Sequence, residues 1–310
     1  MKVVKIAYPQ QLPVFGGQPL VLAMGFFDGV HRGHQQVLQQ AADLAHQKQV
    51  PLAVLTYDHH PALVYQKLDG DAGRYLTLWD RKQELLAQQG VDQIYQINYN
   101  FAFQAQTPQQ FVDRFLLPLH PIAVVAGFDH TYGTNQADMD HLESYSHQQF
   151  SVVKVGQASL GGAKISSTDI RQSLAMGKLT LVNQALGYQF ETTGTVIHGF
   201  ARGRKLGFPT ANIQHSELQR LPAEGVYVVQ IAVNGRWYQG MASIGRNTTF
   251  GDHNPITVEI NILDFNQNIY GNQVQIRWLQ KLRDNVKYQG EAALIEQLKL
   301  DKIATINYFK

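Results

Sequence analysis

The stretch GFFDGVHRGHQ, residues Gly25–Gln35, follows the apolar run PLVLAM and decides how the first half of the chain is interpreted. It places glycines, an aspartate and two histidines directly after a segment that is typical of a buried strand. Glycines in this position let the backbone approach a ligand closely, and the start of the following helix offers free N–H groups. His31 and His34 can lie on one face of the first helical turn. Two imidazoles there indicate a site for phosphate oxygens.

This H-x-G-H pattern has other interpretations. The histidines could be ordinary polar residues at a helix start, or a metal pair, although no third ligand is obviously tied to them. A Walker-type loop is excluded, because G-x-x-x-x-G-K-[ST] does not occur in the chain. A later segment, KISSTDIRQSL, adds clustered hydroxyls and Arg171 at the start of a predicted helix. Those groups suit a triphosphate, or they simply cap the helix.

Strand-like and helix-like segments alternate through the first half of the chain. Short apolar runs begin near Pro19, Pro51, Asp92, Ile122 and Phe150, and segments with helical periodicity separate them. This order predicts an α/β fold in which helices cover a parallel sheet. Such sheets bind ligands outside the carboxyl ends of their strands, where GFFDGVHRGH is expected to lie.

From about Gln184 the sequence changes to short β-rich segments. Asn234-Gly235 lies between two of them and predicts a type I′ hairpin, because that turn needs positive φ at both central residues. Antiparallel strands at short spacing indicate a small barrel or sandwich, followed by a helix over residues 290–309. We therefore predict two domains, residues 1–184 and 185–310.

Composition excludes several classes of function. The 310 residues contain no cysteine, which rules out disulfides, Cys-ligated zinc and thiol catalysis. A formal net charge of +2 lacks the basic excess of a nucleic-acid binder. No apolar run approaches the roughly 18 residues of a membrane span. We expect a cytoplasmic protein that binds neither nucleic acid nor membrane.

A second candidate site lies in GTVIHGFARGRKLGFPTANI, residues Gly194–Ile213. Glycines among basic side chains suit a nucleotide, although a solvated basic turn or an RNA-binding patch built on Arg202, Arg204 and Lys205 is the alternative. In FPTAN, Thr210 and Asn212 fall on one side of an extended chain and offer hard oxygen ligands suitable for Mg²⁺.

Glu259 lies in the alternating segment ITVEINILDF, on the side opposite the apolar residues. It is either a solvent-facing glutamate or a carboxylate that takes a proton from an attacking hydroxyl. The residues alone leave these two interpretations open.

The motifs together resemble those of a known family. GFFDGVHRGHQ, TYDHHP, VVAGFDHTYG and ISSTDIR are similar to the N-terminal module of the bacterial bifunctional riboflavin kinase/FAD synthetases, and GRKLGFPTAN, EGVYVV, VEINILDF and IYG are similar to their kinase module. The resemblance implies a Rossmann-like nucleotidyltransferase domain, followed by a small antiparallel β-barrel with a C-terminal helix.

In that family the N-terminal module transfers AMP from ATP to FMN and releases pyrophosphate. The resemblance implies that His31 and His34 are the catalytic residues, which hold and stabilise the ATP phosphates. It places Asp129 near the bound nucleotide or flavin. The other positions that it implies for ATP and phosphate binding are Gly25, Asp28, Gly33, Ser166, Ser167, Thr168 and Arg171.

In the kinase module the resemblance implies that Glu259 is the base that deprotonates the ribityl 5′-hydroxyl of riboflavin for attack on the γ-phosphate of ATP. Thr210 and Asn212 would hold Mg²⁺ and ATP, and Arg283 would bind the flavin. The glycine loop would contribute Gly203, Lys205 and Gly207 to ATP binding.

Two positions depart from the family pattern. Thr248 stands where the family usually has proline, and Asn285 stands where it has an acidic residue. We expect these departures to affect flavin or ADP affinity at the kinase site more than the chemistry there.

The expected function is therefore the synthesis of FMN and then FAD, with riboflavin, FMN, FAD, ATP, ADP and pyrophosphate as ligands. Flavin would be a substrate and product, and not a prosthetic group. The alternatives are a chain with one active half, a non-catalytic flavin-binding regulator and a nucleic-acid module. We expect a monomer or a weak homo-oligomer.

Overall fold

The computed structural model describes residues 1–10, 17–134, 137–199, 202–246 and 256–310, without the side chain of Arg202. These residues form two compact units, Met1–Ser167 and Thr168–Lys310. The division falls at the start of the helix Ser167–Ala175, upstream of the domain boundary expected after residue 184. The boundary between residues 184 and 185 stays a prediction.

The first unit contains a six-stranded sheet in which every neighbouring pair is parallel. The strands are β1 (Lys2–Ile6), β2 (Leu20–Met24), β3 (Leu52–Tyr57), β4 (Gln93–Ile97), β5 (Pro121–Gly127) and β6 (Ser151–Val155). Their spatial order is β1-β4-β3-β2-β5-β6. The predicted parallel α/β fold is confirmed.

Burial explains why the central strands read as continuous apolar runs. All residues of β2 and β3 are buried, as expected for strands covered on both faces. The helices of this unit are α1 (Arg32–Lys48), α2 (Trp79–Gln88) and α3 (Met139–Tyr145), with single helical turns at Phe101–Gln104 and Pro108–Phe111. Helix α1 buries the apolar face that its periodicity predicts, namely Val37, Leu38, Ala41 and Ala45.

The segment TPQQFVDRFLLP, residues 107–118, is one of the segments with helical periodicity, but its helix is irregular. Its first turn, Pro108–Phe111, is α-helical, Val112–Leu116 is π-helical and Leu117–Leu119 is a 3₁₀ turn. Pro118 has no N–H to donate, so a regular α-helix cannot continue through it. The capping box between Thr107 and Gln110 still fixes the beginning of the segment where the sequence places it.

The second unit is a closed six-stranded antiparallel barrel. Its strands are β7 (Phe190–Ile197), β8 (Ala211–His215), β9 (Gly225–Val233), β10 (Arg236–Arg246), β11 (Ile256–Ile262) and β12 (Gln273–Arg283). The order around the barrel is β7-β8-β11-β10-β9-β12, and β12 pairs back to β7. Asn234 and Gly235 have φ values of 50° and 80°, which confirms the predicted hairpin.

The helices of the second unit are α4 (Ser167–Ala175), whose first residue is the last of the first unit, α5 (Leu179–Leu186) and α6 (Glu291–Tyr308), with a helical turn at Arg202–Lys205. Trp278 is fully buried inside the barrel and donates a hydrogen bond from Nε1 to Oγ1 of Thr192 at 2.9 Å. Within the ranges that the structure describes, no helix is long and apolar enough to cross a membrane.

Candidate active sites

The first candidate site is a cavity of about 490 Å³ at the carboxyl ends of the parallel strands. The chain runs from β2 to β3 and β4 on one side, whereas β5 pairs with the other side of β2. The strand order therefore reverses at β2, and open α/β sheets bind ligands in the crevice at such a point. Gly25 after β2, Tyr57 at the end of β3 and Gly127 at the end of β5 line the cavity.

His31 and His34 lie in this cavity with their rings stacked, 3.7 Å between centroids and 15° between planes. His31 is the N-cap of α1, and its Nδ1 accepts a hydrogen bond from the backbone N–H of His34 at 3.3 Å. Because that Nδ1 accepts, a neutral His31 carries its proton on Nε2. Burial, with smaller contributions from His31 and Lys82, lowers the pKa of His34 well below its ordinary value. Nδ1 of His34 is buried and has no partner among the described residues.

Two glycines of the loop make room for aromatic rings. A Cβ on Gly33 would lie 3.1 Å from the His31 ring, and a Cβ on Gly25 would lie 2.9 Å from the Phe27 ring. Both glycines line the cavity, as the sequence predicts for a phosphate loop. Phe27 is buried with φ of 55°, and its ring meets His34 in a T-shaped contact at 5.3 Å.

The buried carboxylate of Asp28 anchors the phosphate loop to the segment that contains Leu76 and Thr77. Its carboxylate is 2% exposed and accepts hydrogen bonds from the backbone N–H groups of Leu76 and Thr77 at 3.0 and 3.1 Å. Gly29 N–H in turn donates to Oγ1 of Thr77 at 3.0 Å. Asp28 is not among the described residues that line the cavity. Its contribution to phosphate binding stays a prediction, and Asp28 would make it through the shape of the loop.

The hydroxyl cluster predicted to close on the triphosphate is divided between the two units. Ser166 and Ser167 line the cavity, and Ser167 Oγ donates to the backbone carbonyl of Asp28 at 3.0 Å. Thr168 and Arg171 belong to α4 in the second unit, where Thr168 is exposed and Arg171 is half-buried. Their role at ATP stays a prediction.

An aromatic wall, which sequence reasoning did not identify, forms much of this cavity. It comprises Phe26, Phe27, Tyr57, Tyr65, Tyr99, Phe103, Phe111, Phe128 and Tyr132. Tyr57 contacts Tyr99 edge-on at 4.8 Å, and Tyr99 contacts Phe103 at 5.2 Å. Such a wall can accept a large planar ring.

Polar groups of the VVAGFDHTYG segment lie beside this wall. Asp129 lines the cavity and forms an ion pair with Lys164 at 3.0 Å. Nε2 of His130 and the hydroxyl of Tyr132 are buried and have no partner among the described residues. Burial lowers the pKa of His130 to about 4, and Asp129 opposes that shift. Buried unpaired polar atoms that line a cavity are available to a ligand.

The second candidate site lies on neighbouring strands of the barrel. Thr210 Oγ1 donates a hydrogen bond to Oε2 of Glu259 at 3.1 Å. Asn212 of β8 lies directly opposite Glu259 of β11 in the register of the two strands. Val258 and Ile260 on either side of Glu259 are buried and Glu259 is half-buried, so the predicted alternation holds around Glu259, but Asn261, predicted on the same side as Glu259, is buried as well. The structure thus brings together Thr210, Asn212 and Glu259.

Glycines of the GTVIHGFARGRKLG segment pack tightly against this group. A Cβ on Gly199 would overlap the side-chain amide of Asn212, and a Cβ on Gly203 would overlap the backbone carbonyl of Phe208. Gly207 has φ of 81°, a conformation that favours glycine. Lys205 is exposed.

A cavity of about 490 Å³ opens beside Thr210. Arg204, one of the basic side chains of the predicted glycine segment, contributes to its lining, and so do Phe265 and Tyr270, which the sequence did not single out. The ring of Tyr270 stacks on His198 with 3.7 Å between centroids. The cavity has the size and the aromatic character of a small-molecule site.

Comparison with known proteins identifies the family. A family model described as FAD synthetase matches residues 17–169, and one described as riboflavin kinase matches residues 186–309. A bifunctional riboflavin kinase/FMN adenylyltransferase of Listeria monocytogenes is 43% identical over 310 residues, which covers 100% of this chain and 98% of the relative. The chain belongs to this family.

Other relatives agree over the full length. A Bacillus subtilis protein of the same description is 36% identical, covering 100% of this chain and 98% of its own. A crystal structure from Streptococcus pneumoniae, described as a macrolide-efflux protein, has a TM-score of 0.92 at 32% identity and covers 99% of both chains. The family assignment rests on the family models and the curated relatives, whose descriptions name flavin enzymes.

Three more positions of the kinase module were singled out in the sequence: Asn285 and Thr248, which depart from the family pattern, and Arg283, which is predicted to bind the flavin. Asn285 Nδ2 donates to the backbone carbonyl of Ile244 at 2.8 Å, so it ties its loop to β10. Arg283 pairs with Asp301 of α6 through Nε and Nη2 at 2.9 and 2.6 Å, and this pairing raises its pKa. Flavin binding by Arg283 stays a prediction. Thr248 lies outside the described residues.

The donor set around Glu259 fits the metal expected for a kinase. A hydroxyl, an amide oxygen and a carboxylate are hard oxygen ligands, and Mg²⁺ is commonly held by one or two such groups together with substrate phosphates. The described residues contain no group of three or more His, Asp or Glu side chains that could hold a metal without such a substrate. Binding of Mg²⁺ by Thr210 and Asn212 stays a prediction.

Proposed function

We propose that this chain makes FMN from riboflavin and ATP at the barrel site, and FAD from FMN and a second ATP at the cavity of the parallel sheet. Family membership supports both reactions. The observation that carries the proposal is the presence of two separate sites with different chemistry, the stacked His31–His34 pair and the Thr210–Glu259 contact.

At the first site, a phosphate oxygen of FMN attacks the α-phosphorus of ATP, and the bond to the β-phosphate oxygen breaks. Negative charge accumulates on the departing pyrophosphate. The Nε2 proton of His31 would donate a hydrogen bond to those oxygens, and His34 would support the His31 ring from the stack. The aromatic wall would hold the isoalloxazine ring, and the polar atoms of His130 and Tyr132 would face its edge.

At the second site, the ribityl 5′-hydroxyl of riboflavin attacks the γ-phosphorus of ATP and ADP leaves. Glu259 takes the hydroxyl proton, and Thr210 orients that carboxylate through its hydrogen bond. Thr210 and Asn212 would hold Mg²⁺, which would supply positive charge for the ATP phosphates. In-line transfer of this kind depends on positioning more than on covalent chemistry.

The test is chromatography of flavins after the pure chain is incubated with riboflavin, ATP and Mg²⁺. The expected result is FMN followed by FAD. FMN without FAD, even when FMN is supplied directly, would support a chain with one active half. Flavin binding without any conversion of riboflavin or FMN would overturn the proposal in favour of a binding protein. We retain the predictions of a monomer or weak homo-oligomer and of a cytoplasmic location.

A further inference from the structure

Lys82 of helix α2 is a buried cation beside the first site. It is 3% exposed, although lysine is among the residues least often buried. Its Nζ donates a hydrogen bond to the backbone carbonyl of Phe26 at 2.9 Å and lies 4.2 Å from the centroid of the Phe26 ring. Oγ1 of Thr56 donates to the same carbonyl at 3.0 Å. Two donors from different elements therefore fix one carbonyl of the phosphate loop.

That carbonyl belongs to the peptide that precedes Phe27. The orientation of this peptide is coupled to φ of Phe27, which is 55° and lies in the left-handed region that residues with a side chain rarely adopt. Holding the Phe26 carbonyl in place keeps Phe27 in this conformation. The Phe27 ring then meets His34 edge-on at 5.3 Å, and His34 stacks on His31.

The segment that carries Lys82 also contacts the phosphate loop after Phe27, at Asp28 and Gly29. Leu76 and Thr77 bind the carboxylate of Asp28, and Thr77 accepts a hydrogen bond from Gly29. Residues 76–82 thus hold the loop before and after Phe27. Of these contacts, the one from Lys82 alone brings a positive charge.

We propose that Lys82 is a positioning residue for adenylyl transfer, which holds His34 in its stack through the Phe26 carbonyl and Phe27. The inference rests on the proposed role of His31 and His34 at the ATP phosphates. Lys82 does not line the described part of the cavity, so it acts through the loop and through its charge.

The charge of Lys82 links this role to pH. Burial lowers the pKa of Lys82 to about 8, and the charge of Asp28 opposes the shift. The ammonium is therefore present below about pH 8 and is lost above it. The groups that face Lys82 are Asp28 and His34, and Arg81 of the same helix pairs with Glu84 instead. His60 and Tyr75 contact the Phe26 ring.

The experiment measures FAD formation from FMN and ATP by the full chain between pH 6.5 and 9.5. We expect kcat/KM of the unmodified chain to fall above about pH 8. Lys82→Met should lower kcat/KM at pH 7 by up to about 100-fold, the loss that a displacement of about 1 Å in a positioned group can cause. It should also abolish the basic limb of the pH profile, which is the fall in kcat/KM above about pH 8. Lys82→Arg keeps the charge, so it should recover part of the rate. Its fall in kcat/KM at high pH should shift above pH 9.5, beyond the measured range.

Two controls separate this role from general destabilisation. Lys154→Met removes an exposed lysine that pairs with Asp140 on the same unit and should change neither rate nor pH profile. FMN formation by the barrel in the same Lys82→Met sample should be unchanged. Thr56→Val removes the other donor to the Phe26 carbonyl and should lower the rate of FAD formation without shifting the basic limb.

Two results for Lys82→Met would overturn the proposal. Unchanged kcat/KM in Lys82→Met overturns the proposal, and so does a lowered rate in which the basic limb near pH 8 persists. If Lys82→Met does not fold, a normal rate in Thr56→Val together with no basic limb in the unmodified chain overturns it. Absence of FAD formation by the unmodified chain would instead contradict the proposed function.

Discussion

The two candidate sites present different kinds of side chain, imidazoles in the parallel-sheet unit and a carboxylate in the barrel. The sheet site has two stacked imidazoles, one of them with a lowered pKa, inside an aromatic cavity. The carboxylate among its described lining residues, Asp129, pairs with Lys164. The barrel site instead has a carboxylate, Glu259, that receives a hydrogen bond from Thr210.

The state of the nucleophile explains this difference. A phosphate monoester such as that of FMN is already ionised near neutral pH, since its second pKa is about 6. Attack by FMN therefore needs no base, and the sheet site can devote its donors to the leaving group. The 5′-hydroxyl of riboflavin must lose a proton, so the barrel site needs a carboxylate within reach.

The largest expected effect removes the base. Glu259→Gln keeps the shape of the side chain but cannot accept the proton, so kcat for FMN formation should fall by about 10²- to 10⁴-fold. FAD formation from supplied FMN should stay unchanged. Chromatographic rates measure both reactions, and Glu296→Gln on the exposed face of α6 is the matched control. Normal FMN formation by Glu259→Gln would remove the chemical distinction between the sites.

The converse change removes one imidazole. His31→Ala should lower FAD formation by about 10²- to 10³-fold, because a preorganised donor to the leaving group is lost. FMN formation should continue at the normal rate. His46→Ala, an exposed histidine near the end of the same helix, is the control and should change neither reaction. Loss of both activities in a folded His31→Ala protein would contradict the assignment of two independent sites.

Gly199 provides a test of the position of the Asn212 side chain in the barrel site. Gly199→Ala places a Cβ where the Asn212 amide lies, so Asn212 must move. We expect roughly a tenfold loss of FMN formation, with a higher KM for MgATP. The same change in an Asn212→Ala background should cost little more, because the group it displaces is already absent. Fully additive losses would show that Gly199 acts elsewhere.

The smallest effect concerns the stability of the sheet unit. An unfolded histidine has a pKa near 6.5, whereas that of His130 is about 4 in the folded chain. Between these values the unfolded chain binds a proton that the folded chain does not, so acid favours unfolding. When the pH falls from 7 to 5, the free energy of unfolding should therefore decrease less in His130→Phe than in the unmodified chain. Urea denaturation measures this, with the exposed His141→Phe as control; equal losses would contradict it.

Local patterns made the core of each fold predictable. The buried runs of β2 and β3, the apolar face of α1 and the Asn234-Gly235 turn are each encoded within a few residues. The glycine loop and its histidines could be placed because strand, loop and helix are consecutive in sequence.

Other features depend on contacts between distant residues. The aromatic wall gathers Tyr57, Tyr99 and Phe128 from different strand ends, so no window of sequence contains its pattern. Lys82 looks like an ordinary surface residue of an amphipathic helix, because its partner carbonyl lies 56 positions away. Strand β1 was missed since half-exposed edge residues give a weak alternation signal.

Strand β1 has a consequence for how the chain acquires its fold during synthesis. Lys2–Ile6 pairs only with β4 in the described sheet, and β4 ends at Ile97. Because β1 precedes β4 in the chain, it must wait during synthesis until β4 has emerged before its backbone groups can pair in the sheet. Until then its N–H and C=O groups are an open template for strand pairing between chains. Shortening the chain by its first six residues would leave the edge of β4 in that state permanently, and we expect such a protein to be aggregation-prone.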